Sequence, residues 1–364
     1  MACRIRFVTW QTSSSAPKRK FRAVPTDIPR KRPTLKDIAA QAGVSVPTVS
    51  KVVKGRADVS AETRARISAL LREHGYVARG DAAPPAARTI VLSFDALDNA
   101  NNLALMRGVM EHSQRAGVRV VTRMTPTEAD GAWPQAMVDA DHAGVILVTS
   151  SLAHDQQQAL TDAHIPLVVI DPVNTPPEGV PSVGVNNYTG AYLATKHLIE
   201  LGHTKIAFVG GLESECAQAR RAGYHFALRE ASIEVPPEYD QPGTFRFADG
   251  KRSAKLLLGL KDAPTAIFTA NDLEALGVLD EAHLQGVRVP DDLSVVGFDD
   301  SVQAISASPH LTTVRQPFAE IGATAARLLL QAIANEPLSS TRLELATQLM
   351  VRDSTAAPRA ASAV

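Results

Sequence analysis

Acidic and amide side chains recur directly after short apolar runs in this sequence. SFD brings Asp95, IDP brings Asp171, TAND brings Asn271, GFDD brings Asp299, and TVRQPF brings Gln316 and Phe318. Taken singly, each such aspartate reads as a helix cap. Gathered at one mouth, carboxylates, amides and an arginine offer paired acceptors and donors to neighbouring hydroxyls, the chemistry that holds a polyhydroxylated ligand. A second group lies nearer the N-terminus. DIAAQAGVSVPTVSKVVKGR, residues 37–56, sets Ser45, Thr48 and Ser50 beside Lys51, Lys54 and Arg56. Short hydroxyls and cations at the start of a helix suit phosphate oxygens, and a long cationic side chain reaches a base edge.

Other chemistries lack their residues. FVGGLESECA is the nearest approach to a dinucleotide loop, and it has no GxGxxG. No P-loop occurs, and the ten histidines show no HxxH spacing. Cys3 and Cys216 form no CxxC pair, and Cys216 has no evident partner base. No metal, no cofactor and no enzymatic activity are expected. The basic N-terminus has no apolar h-region and no run approaches a membrane span, so a cytoplasmic protein is expected.

The elements that must carry these residues are legible from period and punctuation. Thr34 caps a helix from Leu35, with Leu35, Ile38, Ala39 and Ala42 on one stripe and Gly43 ending it. Ser45 caps a second helix with Pro47 in its first turn and Val49, Val52 and Val53 inward. Ser60 opens a third, with Ile67, Leu70 and Leu71 on one face, closed by Gly75 before Tyr76. Helix, three-residue turn, helix and supporting helix is the helix-turn-helix plan, although spacing alone also fits a plain helical bundle.

From Thr89 the pattern changes. TIVLSF, VRVVTR, GVILVTS, IPLVVID, KIAFVGG, TAIFTA and LSVVGFD read as strands. Helices fit between them over 103–115, 190–201, 217–230 and 272–285. This alternation predicts an α/β fold with parallel sheets covered on both faces, too long for one doubly wound domain and therefore two. Charge separates head from body. Residues 1–88 hold 18 basic and 6 acidic residues, net +12, and the rest balances this with net −12. A basic head on an acidic body is the footprint of a polyanion partner.

These residues carry a family resemblance. TLKDIAAQAGVSVPTVSKVVKGRADVSAETRARISALLREHGYVAR, residues 34–79, resembles the headpiece of the lactose-repressor (LacI/GalR) regulators. PTAIFTANDLEALGVL, VPDDLSVVGFDDS and CAQARRAGY resemble their periplasmic-binding-protein-type core. The resemblance implies base reading by Val46, Pro47 and Lys51 and phosphate contact by Thr48, Ser50 and Lys54. Thr34, Leu35, Ser45, Arg56 and Tyr76 complete the implied DNA face. For the cleft it implies Asp95, Asn101, Ser150, Asp171, Cys216, Arg220, Asn271, Asp299, Gln316 and Phe318.

The resemblance further implies a homodimer on a near-palindromic double-stranded operator, a repressor controlled by a sugar or related small polar effector, and no membrane. A regulator whose core only dimerises, and a sugar-binding protein with no DNA role, are the alternatives. The expected organisation is a disordered basic leader at 1–32, a DNA-binding domain at 33–79 and a linker at 80–88. The core spans 89–353, with subdomain 1 at about 89–186 and 317–345. Subdomain 2 takes about 187–316 and the C-terminal strand, and 354–364 is a disordered tail.

Three departures from the family stand out. The linker GDAAPPAAR has no leucine to wedge into a minor groove, and Pro84 and Pro85 oppose a hinge helix, so a small operator bend is expected. FDALDNANNLALMRG places Asn101 and Asn102 where an aromatic turn is common. Arg252 stands where a stacking aromatic is expected, with Phe245 or Phe247 as substitutes.

Overall fold

Among the described residues, six strands build each of two sheets in a computed structural model of the chain. The structure describes residues 35–53, 59–60, 63–64, 66–67, 70–71, 88–95, 97, 101–125, 140, 142–148, 154–211 and 214–359. The expectations for the leader, for the linker up to 87 and for Thr34, Lys54, Arg56, Tyr76 and Ser150 lie outside them. The chain divides into two units, Met1–Pro84 and Pro85–Val364.

In the first unit, α1 (Leu35–Ala42) and α2 (Val46–Val53) pack on each other. Gly43 breaks α1 with φ +64°, a conformation a Cβ would oppose. Ser45 Oγ accepts the Thr48 N–H at 3.4 Å and pairs with the Thr48 hydroxyl at 2.8 Å, capping α2. Ser60 repeats the device with Thr63. Ile38, Ala39, Ala42, Val49, Val52 and Ile67 form the buried core, with Leu70 and Leu71 against it. The helical spacing and its caps thus produce the expected helix pair.

The second unit opens with β1 (Thr89–Phe94), α3 (Asn101–Arg115), β2 (Arg119–Met124) and β3 (Gly144–Val148). Next come α4 (His154–Asp162), β4 (Leu167–Ile170), β5 (Ser182–Val185) and α5 (Asn187–Glu200). The chain continues through β6 (Ile206–Gly211), α6 (Glu215–Glu230), β7 (Asp240–Gly243) and α7 (Phe247–Leu258). Then follow β8 (Ala266–Thr269), α8 (Asp272–Leu284), β9 (Ser294–Asp299), the short α9 (Val302–Ser306) and β10 (Thr312–Arg315). Last are α10 (Phe318–Ile333), β11 (Arg342–Leu345) and β12 (Gln348–Met350).

The first sheet runs β11-β5-β4-β3-β1-β2 and the second β12-β10-β9-β8-β6-β7. All pairings are parallel except β12 against β10. Continuous apolar runs are needed because helices cover both faces. Along β1, Ile90, Leu92 and Phe94 face α3 and α10, while Val91 joins Leu160 of α4 on the other side. In the second sheet, Phe208, Phe268 and Phe298 meet Tyr224 of α6, and Val209, Ile267 and Val295 meet α7 and α8. Gly250 and Gly277 let α7 and α8 touch backbone to backbone, since an added Cβ would lie 1.9 Å from Glu274 O and 2.1 Å from Phe247 O.

The chain passes from one sheet to the other between β5 and α5, between β10 and α10, and between β11 and β12. Its C-terminal end corrects one expectation. Residues 354–356 are not a loose tail. Ser354 is fully buried, takes the Thr312 N–H at 2.8 Å and donates to Val295 O at 2.6 Å. Ala356 O meets His203 Nε2 at 2.9 Å, and Arg359 reaches Asp292. Small polar residues that look like tail composition here satisfy the backbone at the start of β9.

Candidate DNA-reading helix and interdomain cleft

On α2 the apolar side is spent in the core, so the opposite side is what the unit offers to a partner. Val46, Pro47 and Lys51 are exposed there, with Thr48 and Ser50 half-buried beside them. Lys51 lies in the last turn of the helix. This face carries one long cation, two hydroxyls and an apolar edge, the group the sequence singled out. Leu35 begins α1, and Ser45 is engaged as the α2 cap.

Within the second unit, the carboxyl ends of both sheets meet at a cleft with a cavity volume of about 320 Å³. Strand ends of parallel sheets are where backbone and side-chain polar groups converge without being consumed by the sheet. Asp95 follows β1 and Asp171 follows β4, from the first sheet; Asn271, Asp299 and Gln316 end β8, β9 and β10 of the second. Asn101 comes from the first turn of α3, Cys216 and Arg220 from α6, and Phe318 from α10. Nine of the ten cleft residues expected from the sequence therefore line one cavity.

Asp299 is its centre. Its Oδ2 accepts from Asn101 Nδ2 at 2.9 Å, and its Oδ1 accepts from Gln316 Nε2 at 2.6 Å. Arg220 Nη1 stands 4.0 Å from Oδ1, donates to Ala270 O at 2.6 Å, and Nε of the same side chain donates to Asn187 Oδ1 at 2.8 Å. Burial holds the Asp299 carboxyl above the usual carboxylate range, while Arg220 pulls it down. Burial likewise pushes Asp171 up to about 6, against the pull of Arg220. It also raises the Cys216 thiol, which favours its neutral form. The backbone is strained at these positions, with φ +43° at Asp171, +63° at Phe245 and +123° at Asp299. The Gln316 carbonyl oxygen is buried with no protein partner.

Asn271 serves two ends. Its Oδ1 caps α8 through the Glu274 N–H at 2.9 Å, and its Nδ2 donates to Phe245 O at 2.9 Å. Glu274 Oε1 accepts the Phe245 N–H at 3.0 Å, so both backbone polar groups of Phe245 are held by the start of α8. Burial pushes the Glu274 carboxyl up to about 8.

The structure moves Arg252 out of the cleft. It pairs with Asp249 at 2.5 Å and donates to Pro242 O, while Arg246 lines the cavity instead. Phe245 lines the cleft and Phe247 is exposed. Thr244 and Arg246 carry no signal in the sequence because β7 is DQPG, with no apolar run to mark a strand end. Phe94, Leu105, Val148 and Leu273 also line the cavity; in sequence they cannot be told from core positions. Asp300, the neighbour of Asp299, points elsewhere and is paired with Arg315 and Arg352. Asp272 accepts from the Ser301 N–H and the Thr313 hydroxyl. Both are structural. Among the described residues no group of three or more His, Cys, Asp or Glu could hold a metal ion, and no helix is long and apolar enough to cross a membrane.

Comparison with known proteins agrees with both halves. Residues 34–78 match the bacterial regulatory proteins of the lacI family, and residues 195–355 match the periplasmic binding protein-like domain. The chain is 32% identical to the HTH-type transcriptional regulator DegA of Bacillus subtilis over 335 residues, covering 88% of this chain and 98% of DegA. It resembles the solved transcriptional regulator CelR–cellobiose complex at 33% identity and TM-score 0.68, covering 89% of this chain and 100% of that one. It also resembles the lac repressor dimer bound to operator and the anti-inducer ONPF, at 28% identity and TM-score 0.72, covering 90% and 100%. A capped helix-turn-helix and a two-sheet cleft in one chain, matched along nearly its whole length, place this protein in the LacI family of DNA-binding transcription regulators.

Proposed function

We propose that this protein is a homodimeric, cytoplasmic repressor without enzymatic activity, whose affinity for a near-palindromic operator is set by a sugar or related polyol in the cleft. The observation that carries this reading is the convergence of Asp171, Arg220, Asp299 and Gln316, from both sheets, on one cavity of about 320 Å³. That volume suits one sugar ring or a small glycoside. A carboxylate beside a guanidinium presents acceptor and donor at the spacing of vicinal hydroxyls. Phe245 and Phe318 supply apolar surface for a ring face, and the unpartnered Gln316 oxygen takes a hydroxyl proton. Solved relatives carry cellobiose in one case and an operator with an anti-inducer in another.

In this reading Lys51 reaches a guanine edge in each half-site, Val46 and Pro47 meet thymine methyls, and Thr48 and Ser50 hold phosphates. Effector binding in the cleft changes the relation of the paired headpieces. Coupling of this kind is ~1–3 kcal/mol, and the operator must change effector affinity by the same factor. A thermal-shift panel of mono- and disaccharides tests the cleft. One sugar should raise the midpoint of the wild-type chain and leave an Arg220→Ala variant unmoved. A panel that moves neither protein removes the sugar reading.

A further inference from the structure

Asn101 and Asp299 belong to different halves of the core. Asn101 starts α3, which packs on α10 and the first sheet; Asp299 ends β9 in the middle of the second. Their side chains meet across the cleft at 2.9 Å, and both residues are buried. With Gln316 on the other oxygen, each oxygen of Asp299 has an amide donor from within the protein. Gln316 directly follows β10, which pairs with β9 in the second sheet, so its bond to Asp299 lies within one half and does not oppose opening. The Asn101 bond spans the two halves and must break when they separate. A hydrogen bond to a charged group in a buried site is among the stronger single contacts.

We propose that Asn101 is a cross-cleft latch that holds the empty cleft closed by occupying Oδ2 of Asp299. The amide takes the place an effector hydroxyl would take. Binding is then an exchange: a ligand hydroxyl replaces the Asn101 Nδ2 donor on Oδ2, and the bridge between the halves runs through the ligand. This rests on the cleft being the effector site, but the latch itself acts without any effector. The strained backbone at Asp299 fits a carboxylate held in place from several sides. Arg220, 4.0 Å away, is the neighbouring charge, and it belongs to the same half as Asp299, so it does not substitute for the latch.

Hydrogen exchange of the ligand-free full chain tests this, with X-ray scattering as the shape readout. Asn101→Asp sets two carboxylates against each other. It should speed exchange around 101–105 and 316–318 by about tenfold or more and enlarge the radius of gyration. Asn101→Ala should do the same more weakly. The exchanged pair Asn101→Asp with Asp299→Asn restores a donor and an acceptor and should return both readouts toward wild type. Asn102→Asp, which adds the same charge to the same cleft wall, should not open it. Wild-type behaviour in Asn101→Asp, an equal effect in Asn102→Asp, or no rescue by the exchanged pair overturns the latch. A chain that latches but responds to no sugar overturns the effector reading and leaves the latch standing.

Discussion

The guanidinium carbon of Arg220 lies 3.8 Å from the centroid of the Phe298 ring. One strand end thus supplies both the face that orients the arginine and, one residue later, the carboxylate it serves. Stacking fixes the plane of the guanidinium, and the bonds to Ala270 O and Asn187 Oδ1 fix its rotation. Held this way, Arg220 lines the cavity with Nη1 4.0 Å from Asp299 Oδ1.

That arrangement predicts different outcomes for two substitutions. Arg220→Lys keeps the charge near Asp299 but loses the planar fork, and should weaken the effector by about tenfold or more. Arg220→Ala should abolish the effector response and also lower stability, because it leaves Asp299 buried without its cation. Operator affinity without effector should stay close to wild type for both. Calorimetric titration of the effector and anisotropy on operator DNA separate the two effects. A normal response in Arg220→Ala removes this residue from the site.

Lys51→Ala should cost about 1–3 kcal/mol at one base pair of each half-site and relax the preference there. Competition binding with operators varied at each position, at fixed salt, is the check. An equal loss on specific and random DNA would instead make Lys51 a phosphate contact.

Glu274 gives a pH signature. Its carboxyl ionises only near 8 in the folded chain, against an ordinary value of 4.5. The folded state therefore binds more protons than the unfolded state between those values, and stability falls as pH rises through that window. Glu274→Gln keeps an acceptor for the Phe245 N–H and has no proton to lose. Relative to wild type it should gain stability progressively from about pH 5 to pH 8 and no further above that. Urea unfolding across this range reads the difference. A constant offset between the two proteins would show that Glu274 does not titrate there.

Ser354→Ala should destabilise the core by about 1–3 kcal/mol, since it strips a buried N–H and a buried carbonyl of their partner at once. Chemical unfolding measures it. No change would mean that the C-terminal segment is not built into the second sheet.

Much of this architecture is legible in the residues. Ile38, Ala42, Val49 and Ile67 carry the helical period, Gly43 and Ser45 punctuate it, and the apolar runs ending at Phe94, Ile170 and Phe298 announce parallel strands. Polar residues at those ends then name the cleft. What escapes is of two kinds. β7, DQPG, has neither alternation nor an apolar run, so the turn that delivers Thr244 and Arg246 has no local signal, and only the aromatic character of Phe245 marks it. Contacts between distant elements are also silent: nothing in NANNLAL says that Asn101 meets Asp299, 198 residues away. Nor does Ser354 look like a core residue until the start of β9 is seen to need its hydroxyl.

The most direct measurement is fluorescence anisotropy of the full chain on DNA from upstream of its own and neighbouring genes, at fixed near-physiological salt, with and without saturating sugar from the thermal-shift panel. Specific binding to one near-palindromic site is expected, changed about 5–150-fold by that sugar in the wild type and not in Arg220→Ala. Specific binding that no cleft ligand alters would contradict it and leave a regulator whose core only dimerises.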